Sequence, residues 1–291
     1  MMTTVFFHSL LFLFISYSHG LLFLKKLLKT KTYHNFLETS IIGLLITLTI
    51  SPLINFFIPL NDIFLMFNLL FLFIFFIFNK KFFFERIKLN NKVFLIVFFL
   101  VILNIYGSGF SDDLDHYHYG SITNSDEMNL IWGNSFLHSL YGTSSIWLTG
   151  HSYFNFDYSR LIDIHVLNGL ILFLVLSLFL SEINLSKKKN LFFNKFLFIL
   201  SIFIIIKYTR IKEFGIDRPA ILIFCFLIYY YLKFFLVSQN NRNFDNYIIL
   251  SLISITIISI KIIYLPILFL PFFVFFKQIK KNFKTNYHFL F

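Results

Sequence analysis

Charged residues are scarce in this sequence. Only 13% of its 291 residues are Asp, Glu, Lys or Arg, whereas 58% are hydrophobic and the mean hydropathy is +0.78. This composition excludes a soluble globular protein. The one cysteine, Cys225, lies in an apolar run, which excludes a disulfide framework and a thiolate metal site. Apolar runs of about 20 residues recur along the chain, each long enough to cross a bilayer core as a helix. The sequence predicts an all-α polytopic membrane protein.

Two abundant features carry little functional information. The 46 Phe residues occur beside many Ile, Leu, Asn and Lys residues, which is typical of AT-rich coding and does not require an aromatic binding surface. The net charge of +11 comes mostly from short Lys and Arg clusters between apolar runs, where such residues orient a membrane protein. We therefore expect membrane lipids and no nucleic acid among the partners.

The apolar windows predict about nine transmembrane helices. We interpret the first as a retained span, because no Lys or Arg precedes it and no clear small-residue cleavage site follows it. The windows cover residues 3–24, 40–60, 62–79, 93–108, 161–181, 196–208, 219–238, 246–263 and 265–277.

The basic clusters predict the orientation, since Lys and Arg in short loops favour the cytoplasmic side. An alternating nine-span path with an outside N-terminus and a cytoplasmic C-terminus places all five clusters inside, as expected in a bacterial cytoplasmic membrane. It divides the chain into a four-span region, 1–107, an external loop, 108–160, and a five-span region with a basic tail, 161–291. The clusters are Lys25/Lys26/Lys29/Lys31, Lys80/Lys81/Arg86/Lys88/Lys92, Lys187/Lys188/Lys189/Lys195, Arg242 and Lys277/Lys280/Lys281/Lys284.

The predicted external loop opens with three acids, Asp112, Asp113 and Asp115, followed by His116, Tyr117, His118 and Tyr119. A partly desolvated Asp with a like-charged neighbour has a raised pKa and can act as a general base. We take these three as catalytic candidates and Tyr117 and His118 as substrate-binding candidates. The alternatives are a solvated acidic loop start and a divalent metal site with Asp and His ligands, although no diagnostic His spacing supports a metal.

Residues 128–150 combine Trp, Gly and small polar residues, a composition that predicts short interfacial helices in the loop rather than another span. Such helices would roof a cleft, and Asn134 and His138 could hydrogen-bond an acceptor sugar there. Polar filling between the loop helices is the alternative.

Basic residues also occur on the predicted outer side, where orientation does not explain them. They are Lys207, Arg210, Lys212, Arg218 and, near the outer end of the eighth span, Lys261. Cations at that depth can bind a lipid phosphate; snorkelling to the interface is the alternative for Lys261. By contrast, we interpret Lys233 as an interface anchor and His8, His19 and Asp62 as boundary polar residues.

These residues resemble motifs of the GT-C superfamily of membrane glycosyltransferases, closest to a bacterial branch of unassigned activity. Asp113 precedes Tyr117 by four residues, followed by His118, and later by Asp217-Arg218-Pro219-Ala220 and by Lys261 before Pro266. The loop residues Gly133, Asn134, His138, Gly142, Ser145 and Trp147 also fit the pattern.

The resemblance covers roughly residues 105–275. It implies Asp113 as base, Lys261 and the basic residues of 207–218 as phosphate contacts, and a polyprenyl-phosphate-linked sugar as donor. The chain departs from the family in three respects: four spans precede the loop, Asp112 and Asp115 flank the base, and no further domain follows the basic tail.

The expected function is transfer of a sugar to an envelope glycan or glycolipid acceptor outside the cytoplasmic membrane. No cofactor is implied, with a divalent metal as the alternative. The other functions that fit the sequence are a polysaccharide polymerase or ligase, a non-catalytic transporter and a truncated, inactive relative.

Overall fold

The computed structural model describes residues 2–30, 34–85, 91–106, 118–130, 145–154, 164–185, 191–208, 215–237 and 244–276. Within these ranges the regular structure is entirely helical. The helices in chain order are α1 (Met2–Leu21, continued as a π-helix by Leu22–Leu27), α2 (Phe36–Asn55), α3 (Asp62–Phe78), α4 (Lys80–Glu85), α5 (Asn91–Tyr106), α6 (Tyr119–Glu127), α7 (Ile146–Phe154), α8 (Ile164–Leu185), α9 (Leu191–Tyr208), α10 (Asp217–Tyr231, continued as a π-helix by Leu232–Val237), α11 (Phe244–Ile260) and α12 (Ile262–Phe276, beginning as a 3-10 helix).

Each of the nine predicted apolar windows overlaps one of these helices, with differences at the ends. Four of them are long and apolar enough to cross a membrane, by length and composition: Met2–Leu27, Phe36–Asn55, Ile164–Ile183 and Leu191–Tyr208. The apolar helices α3, α5, α11 and α12 are shorter. The all-helical fold is therefore confirmed for the described residues, four of its helices could span a membrane, and the count of nine spans stays a prediction.

Helices α2 and α8 form the centre of the bundle. In their most apolar windows 72% and 78% of the residues are buried, against 28% in α9. Two glycines allow α1 to approach α2: a Cβ added at Gly43 would lie 1.7 Å from the Ser16 carbonyl oxygen, and one at Gly20 would lie 1.9 Å from the Thr39 carbonyl oxygen. The contact of these two helices therefore depends on the absence of side chains at both positions.

Local sequence fixes where α2 and α3 begin. Asn35 and Glu38 form a capping box at α2: the Glu38 amide donates to Asn35 Oδ1, and the Asn35 amide donates to Glu38 Oε2. Asn61 caps α3 by accepting from the Phe64 amide. Both helix starts are thus held by side chains from the preceding turn.

The bundle has two ends, which we name after lysines found there. At the Lys233 end, Lys233 after α10 contacts Glu38 at the start of α2, and Tyr230 donates to Asn246 at the start of α11. At the opposite Lys261 end, Lys261 after α11 contacts Asp217 at the start of α10. Side-chain contacts thus join α10 to α2 and α11 at one end of the bundle and α10 to α11 at the other.

A helical hairpin with a one-residue turn forms part of the Lys261 end. Helix α11 stops at Ile260, Lys261 is extended (φ −149°, ψ 114°), and α12 starts at Ile262. The chain then runs back along α11, since the rings of Tyr247 and Phe275 lie 6.3 Å apart. Lys261 is therefore at the tip of the hairpin.

Two short helices lie on either side of the segment 128–150 in which the sequence predicts interfacial helices: α6 ends before it, α7 overlaps its end, and residues 131–144 lie outside the described part of the chain. Their placement differs from that prediction for α7, because every residue from Trp147 to Phe154 is buried. A Cβ at Gly150 would lie 2.3 Å from Leu48 Cδ2 of α2, and the Ser152 hydroxyl donates to the Ile122 carbonyl of α6. Helix α7 is therefore packed inside the end of the bundle.

Candidate functional site

The Lys261 end brings together three of the predicted phosphate-binding residues. Lys261 Nζ donates to Asp217 Oδ1; the Lys261 side chain is 37% exposed and that of Asp217 is 63% exposed. Arg218 follows Asp217, and the Tyr208 hydroxyl donates to its carbonyl oxygen, which links α9 to α10. Lys207, the neighbour of Tyr208, is exposed.

The backbone explains why Lys261 is available to an anion. Its amide still donates to Ile257 as the last bond of α11, and its carbonyl accepts from Tyr264 in the first turn of α12. Its side chain therefore projects from the turn, where only Asp217 among the described carboxylates forms an ion pair with it. An exposed carboxylate on a lysine amine is a pair that a phosphate can replace, because exposed pairs contribute little free energy.

His118 lies beside a second group of polar residues at this end. It is buried, as are His151 of α7 and His165 of α8. Burial, together with His165 and His118, lowers the pKa of His151 to about 3, so His151 is neutral at pH 7. Nearby, Trp147 Nε1 donates to Asn168 Oδ1 over 2.9 Å. His118 is thus buried near His151 and His165, and its role as a substrate contact stays a prediction.

Three carboxylates at the same end belong to α3 and α6. They are Asp62, Asp126 and Glu127. Asn55 of α2 holds the end of α6 in place, because its side-chain amide donates to the carbonyls of Ser125 and Met128. Burial raises the pKa of Asp126 to about 6, with smaller contributions from Asp62 and Glu127. This end therefore carries acids as well as the cations around Lys261.

The remaining predicted site residues lie outside the described part of the chain: Asp112, Asp113, Asp115, Tyr117, Asn134, His138, Arg210 and Lys212. The residues on either side of the acidic segment are described. Ile105 contacts Gly169 near the start of α8, and His118 lies near His165 of the same helix. The chain thus enters and leaves the acidic segment at the Lys261 end.

A buried charge cluster at the Lys233 end was not predicted from the sequence. Lys233 Nζ lies 2.7 Å from Glu38 Oε1, 2.8 Å from Glu182 Oε1 and 2.8 Å from the Tyr229 hydroxyl. The Tyr229 hydroxyl in turn donates to Glu38 Oε1 over 2.6 Å. The Glu38 side chain is fully buried, and His34 Nδ1 lies 3.7 Å from its Oε2. The cluster joins α2, α8 and α10.

Lys233 is therefore more than the interface anchor that the sequence suggested. Its amine lies 5.3 Å from the centre of the Tyr229 ring, a further favourable contact for a partly desolvated cation. The signal that was missed is the occurrence of Glu38, Glu182 and Lys233 close to three apolar runs, since ionisable residues there usually pair with one another. Tyr229 and Lys233, four residues apart, lie on one helix face.

No group of three His, Cys, Asp or Glu side chains arranged to hold a metal ion occurs among the described residues. The divalent metal that the sequence left open would depend on Asp112, Asp113 or Asp115, which lie outside those residues.

The apolar helices and the ionisable residues paired at both ends define an all-helical membrane protein. The chain belongs to the family described as "Domain of unknown function (DUF8201)", whose model matches residues 2–291. No curated protein and no solved structure matches the chain. The resemblance to GT-C enzymes therefore depends on the sequence motifs alone.

Proposed function

We propose that the protein is an integral-membrane glycosyltransferase that moves a sugar from a polyprenyl-phosphate donor to an envelope glycan or glycolipid acceptor. The observation that carries the proposal is the Lys261 turn: a lysine at the tip of a helical hairpin, which among the described residues forms an ion pair with one exposed carboxylate, Asp217, the neighbour of Arg218. This is a suitable site for the phosphate of a lipid whose tail stays in the bilayer.

The proposed chemistry combines these cations with Asp113 of the acidic segment. An acceptor hydroxyl attacks the anomeric carbon of the donor sugar, the new C–O bond forms, and the bond from that carbon to the phosphate oxygen breaks. Asp113 takes the proton of the hydroxyl, and polyprenyl phosphate leaves with the bonding electrons. Lys261 and Arg218 neutralise the charge that develops on the leaving phosphate.

The distribution of described charges supports an orientation with the Lys261 end outside. The Lys233 end has the larger basic group, as a cytoplasmic end should: Lys25, Lys26, Lys29, Lys80, Lys81, Lys92, Lys195 and Lys233. The Lys261 end has Asp62, Asp126, Glu127 and Asp217 beside Lys207, Arg218 and Lys261. Single cysteines placed at Met128 and at Lys26 in a Cys225→Ser background test this: we expect a membrane-impermeant maleimide to label only the first in intact cells.

The function is tested by the envelope glycolipids and polysaccharides of cells that depend on this protein. We expect Asp113→Asn to abolish the product detected by mass spectrometry while the protein level is unchanged. Asp157→Asn, in the same loop but outside the motif, is the matched control and should retain the product. A full yield from Asp113→Asn would exclude Asp113 as the base.

Binding of the donor phosphate is tested separately with purified protein and undecaprenyl phosphate. Loss of one charge-assisted contact weakens binding by about 1.5–3 kcal/mol, or roughly 10-fold to 100-fold. We expect this loss for Lys261→Met, and little change for Lys195→Met at the other end. Equal affinities of the two variants would remove the observation on which the proposal depends.

Transport across the bundle is a second candidate, favoured by the buried cluster of Glu38, Glu182 and Lys233. Charge networks of this kind close one end of a transporter and separate when it opens. The two functions predict different results for Glu38→Gln. This variant should stop transport if the network must break during the transport cycle, whereas a transferase that keeps its fold should still form its product.

A further inference from the structure

A basic and aromatic surface lies at the Lys233 end, where the π-helical continuation of α1 meets α4. Lys26, Lys80 and Lys81 are exposed, Lys25 is half-buried, and Lys25 Nζ lies 5.8 Å from the centre of the Phe82 ring. Leu22–Leu27 and Lys80–Glu85 together contain four lysines and one glutamate. We name the set Lys25, Lys26, Lys80, Lys81, Phe82 and Phe84 the α1–α4 patch.

The buried residue of helix α4 that packs into the bundle is Phe83. Phe83 is buried, its carbonyl accepts from the Tyr17 hydroxyl over 2.8 Å, and its ring packs against those of Tyr17 and Phe76 at 5.4 and 4.8 Å. On either side of it, Phe82 and Phe84 are 38% and 66% exposed. The fold therefore holds a lysine pair and two phenylalanines on the outside of the bundle.

The position of α4 in the chain sets its depth. It follows the apolar helix α3 after one residue, Asn79, so it lies where a hydrocarbon-spanning segment ends. Exposed aromatic rings beside lysine amines are favoured at that level, where the rings contact acyl chains and the amines contact lipid phosphates. The α1–α4 patch combines both at one place.

An apolar groove of about 700 Å³ runs between α1 and α3, from Ile63, Met66 and Phe67 near the start of α3 to Phe73, the α3 lining residue nearest the patch. Its lining includes Leu11 and Phe14 of α1 and Leu69, Leu70 and Phe73 of α3. Phe73 precedes Lys80 by seven residues, which is about 10 Å along a helix. The Phe14 ring, in turn, lies 6.3 Å from that of Phe83. The nearer part of the groove is thus within reach of an acyl chain whose headgroup lies at the lysines.

We propose that the α1–α4 patch and the adjoining groove bind an anionic glycerophospholipid, with its phosphate among the four lysines and one acyl chain in the groove. Charge complementarity selects the headgroup, since each lysine near an anionic headgroup strengthens binding about fivefold. The site is at the opposite end from Lys261 and does not depend on the proposed transferase function.

The test compares phosphatidylglycerol with phosphatidylcholine on the full chain in detergent, by native mass spectrometry. Lys80→Gln/Lys81→Gln should weaken phosphatidylglycerol binding about 30-fold, the effect of two lysines. Lys92→Gln/Lys195→Gln removes two exposed charges from the same end on other helices and should leave the affinity nearly unchanged. Phosphatidylcholine should bind weakly to all three proteins.

The groove is tested by Leu70→Trp, which fills it from a side chain that is 56% exposed and so leaves the core intact. This variant should weaken binding of long-chain phosphatidylglycerol and not that of the dihexanoyl form. If the protein binds both headgroups equally, or if the two double-lysine variants lose the same affinity, the α1–α4 patch is not the headgroup site. Competition by inorganic phosphate at equal concentration would identify a free-phosphate site instead. If Leu70→Trp binds long-chain phosphatidylglycerol as tightly as the native protein does, the groove does not hold the acyl chain.

Discussion

Replacing Lys233 by Met tests the buried charge cluster most directly. Methionine keeps much of the length of the lysine side chain and removes its charge, so the packing against Tyr229 changes little. The oxygens Glu38 Oε1 and Glu182 Oε1, which both contact the lysine amine, are left facing each other without a cation. The Glu38 side chain is fully buried, so its charge depends on partners within the bundle.

The expected cost follows from this geometry. Two carboxylates that share a site without a cation repel, so one of them is driven to take up a proton. Removing one partner of a buried pair typically destabilises a protein by about 3–5 kcal/mol. For a chain of this size, each kcal/mol lowers the melting temperature by about 2–4 °C. We therefore expect Lys233→Met to lower it by about 10 °C.

Thermal unfolding of the detergent-purified protein, followed by fluorescence-detected size exclusion, measures this change. The matched control is the triple variant Glu38→Gln/Glu182→Gln/Lys233→Met, which removes all three charges and should recover most of the loss, since uncharged replacements of a buried pair are often neutral. If Lys233→Met melts like the native chain, or if the triple variant is less stable than the single one, the cluster is not the ionic contact described here.

Three further outcomes are expected from the same assay. Tyr229→Phe removes the hydroxyl that donates to Glu38 and should cost about 1.5–3 kcal/mol, the value of a hydrogen bond to a charged group; an unchanged melting temperature would contradict that bond. Gly43→Ala places a methyl group against the backbone of α1 and should prevent stable folding, whereas Gly215→Ala, with nothing within 4 Å of the new methyl, should be neutral. The third outcome concerns pH: the lowered pKa of His151 stabilises the protein above pH 6.5, and stability should fall by about 1.4 kcal/mol per pH unit from there towards pH 3. His151→Asn should show a shallower fall, and equal slopes in the two proteins would exclude this residue as the cause.

The sequence located the helices well, because a bilayer imposes a length and an apolar composition that each span must satisfy alone. All nine windows overlap a helix, with differences at the ends. The windows leave residue 264 between the last two helices, whereas the turn lies at Lys261. The short helix α7 was expected to lie at the interface and is instead buried on every side.

The candidate site was predicted in part. Lys207, Arg218 and Lys261 were identified as cations that orientation does not explain, and the structure brings them to one end of the bundle. His118 was identified for its place in a motif, and the structure buries it beside His151 and His165. Charge patterns along a chain show that a residue is out of place, but they do not show which residues surround it.

The amino-acid sequence by itself determined that the chain is a membrane protein made of helices and where each apolar helix lies, since these depend on composition over about 20 neighbouring residues. The tertiary structure alone decided that Glu38, Glu182 and Lys233 meet, because they are far apart in the chain and their contact depends on how α2, α8 and α10 pack. Pairing of buried charges is a property of the packed bundle, in which a cation has no water and must find a carboxylate.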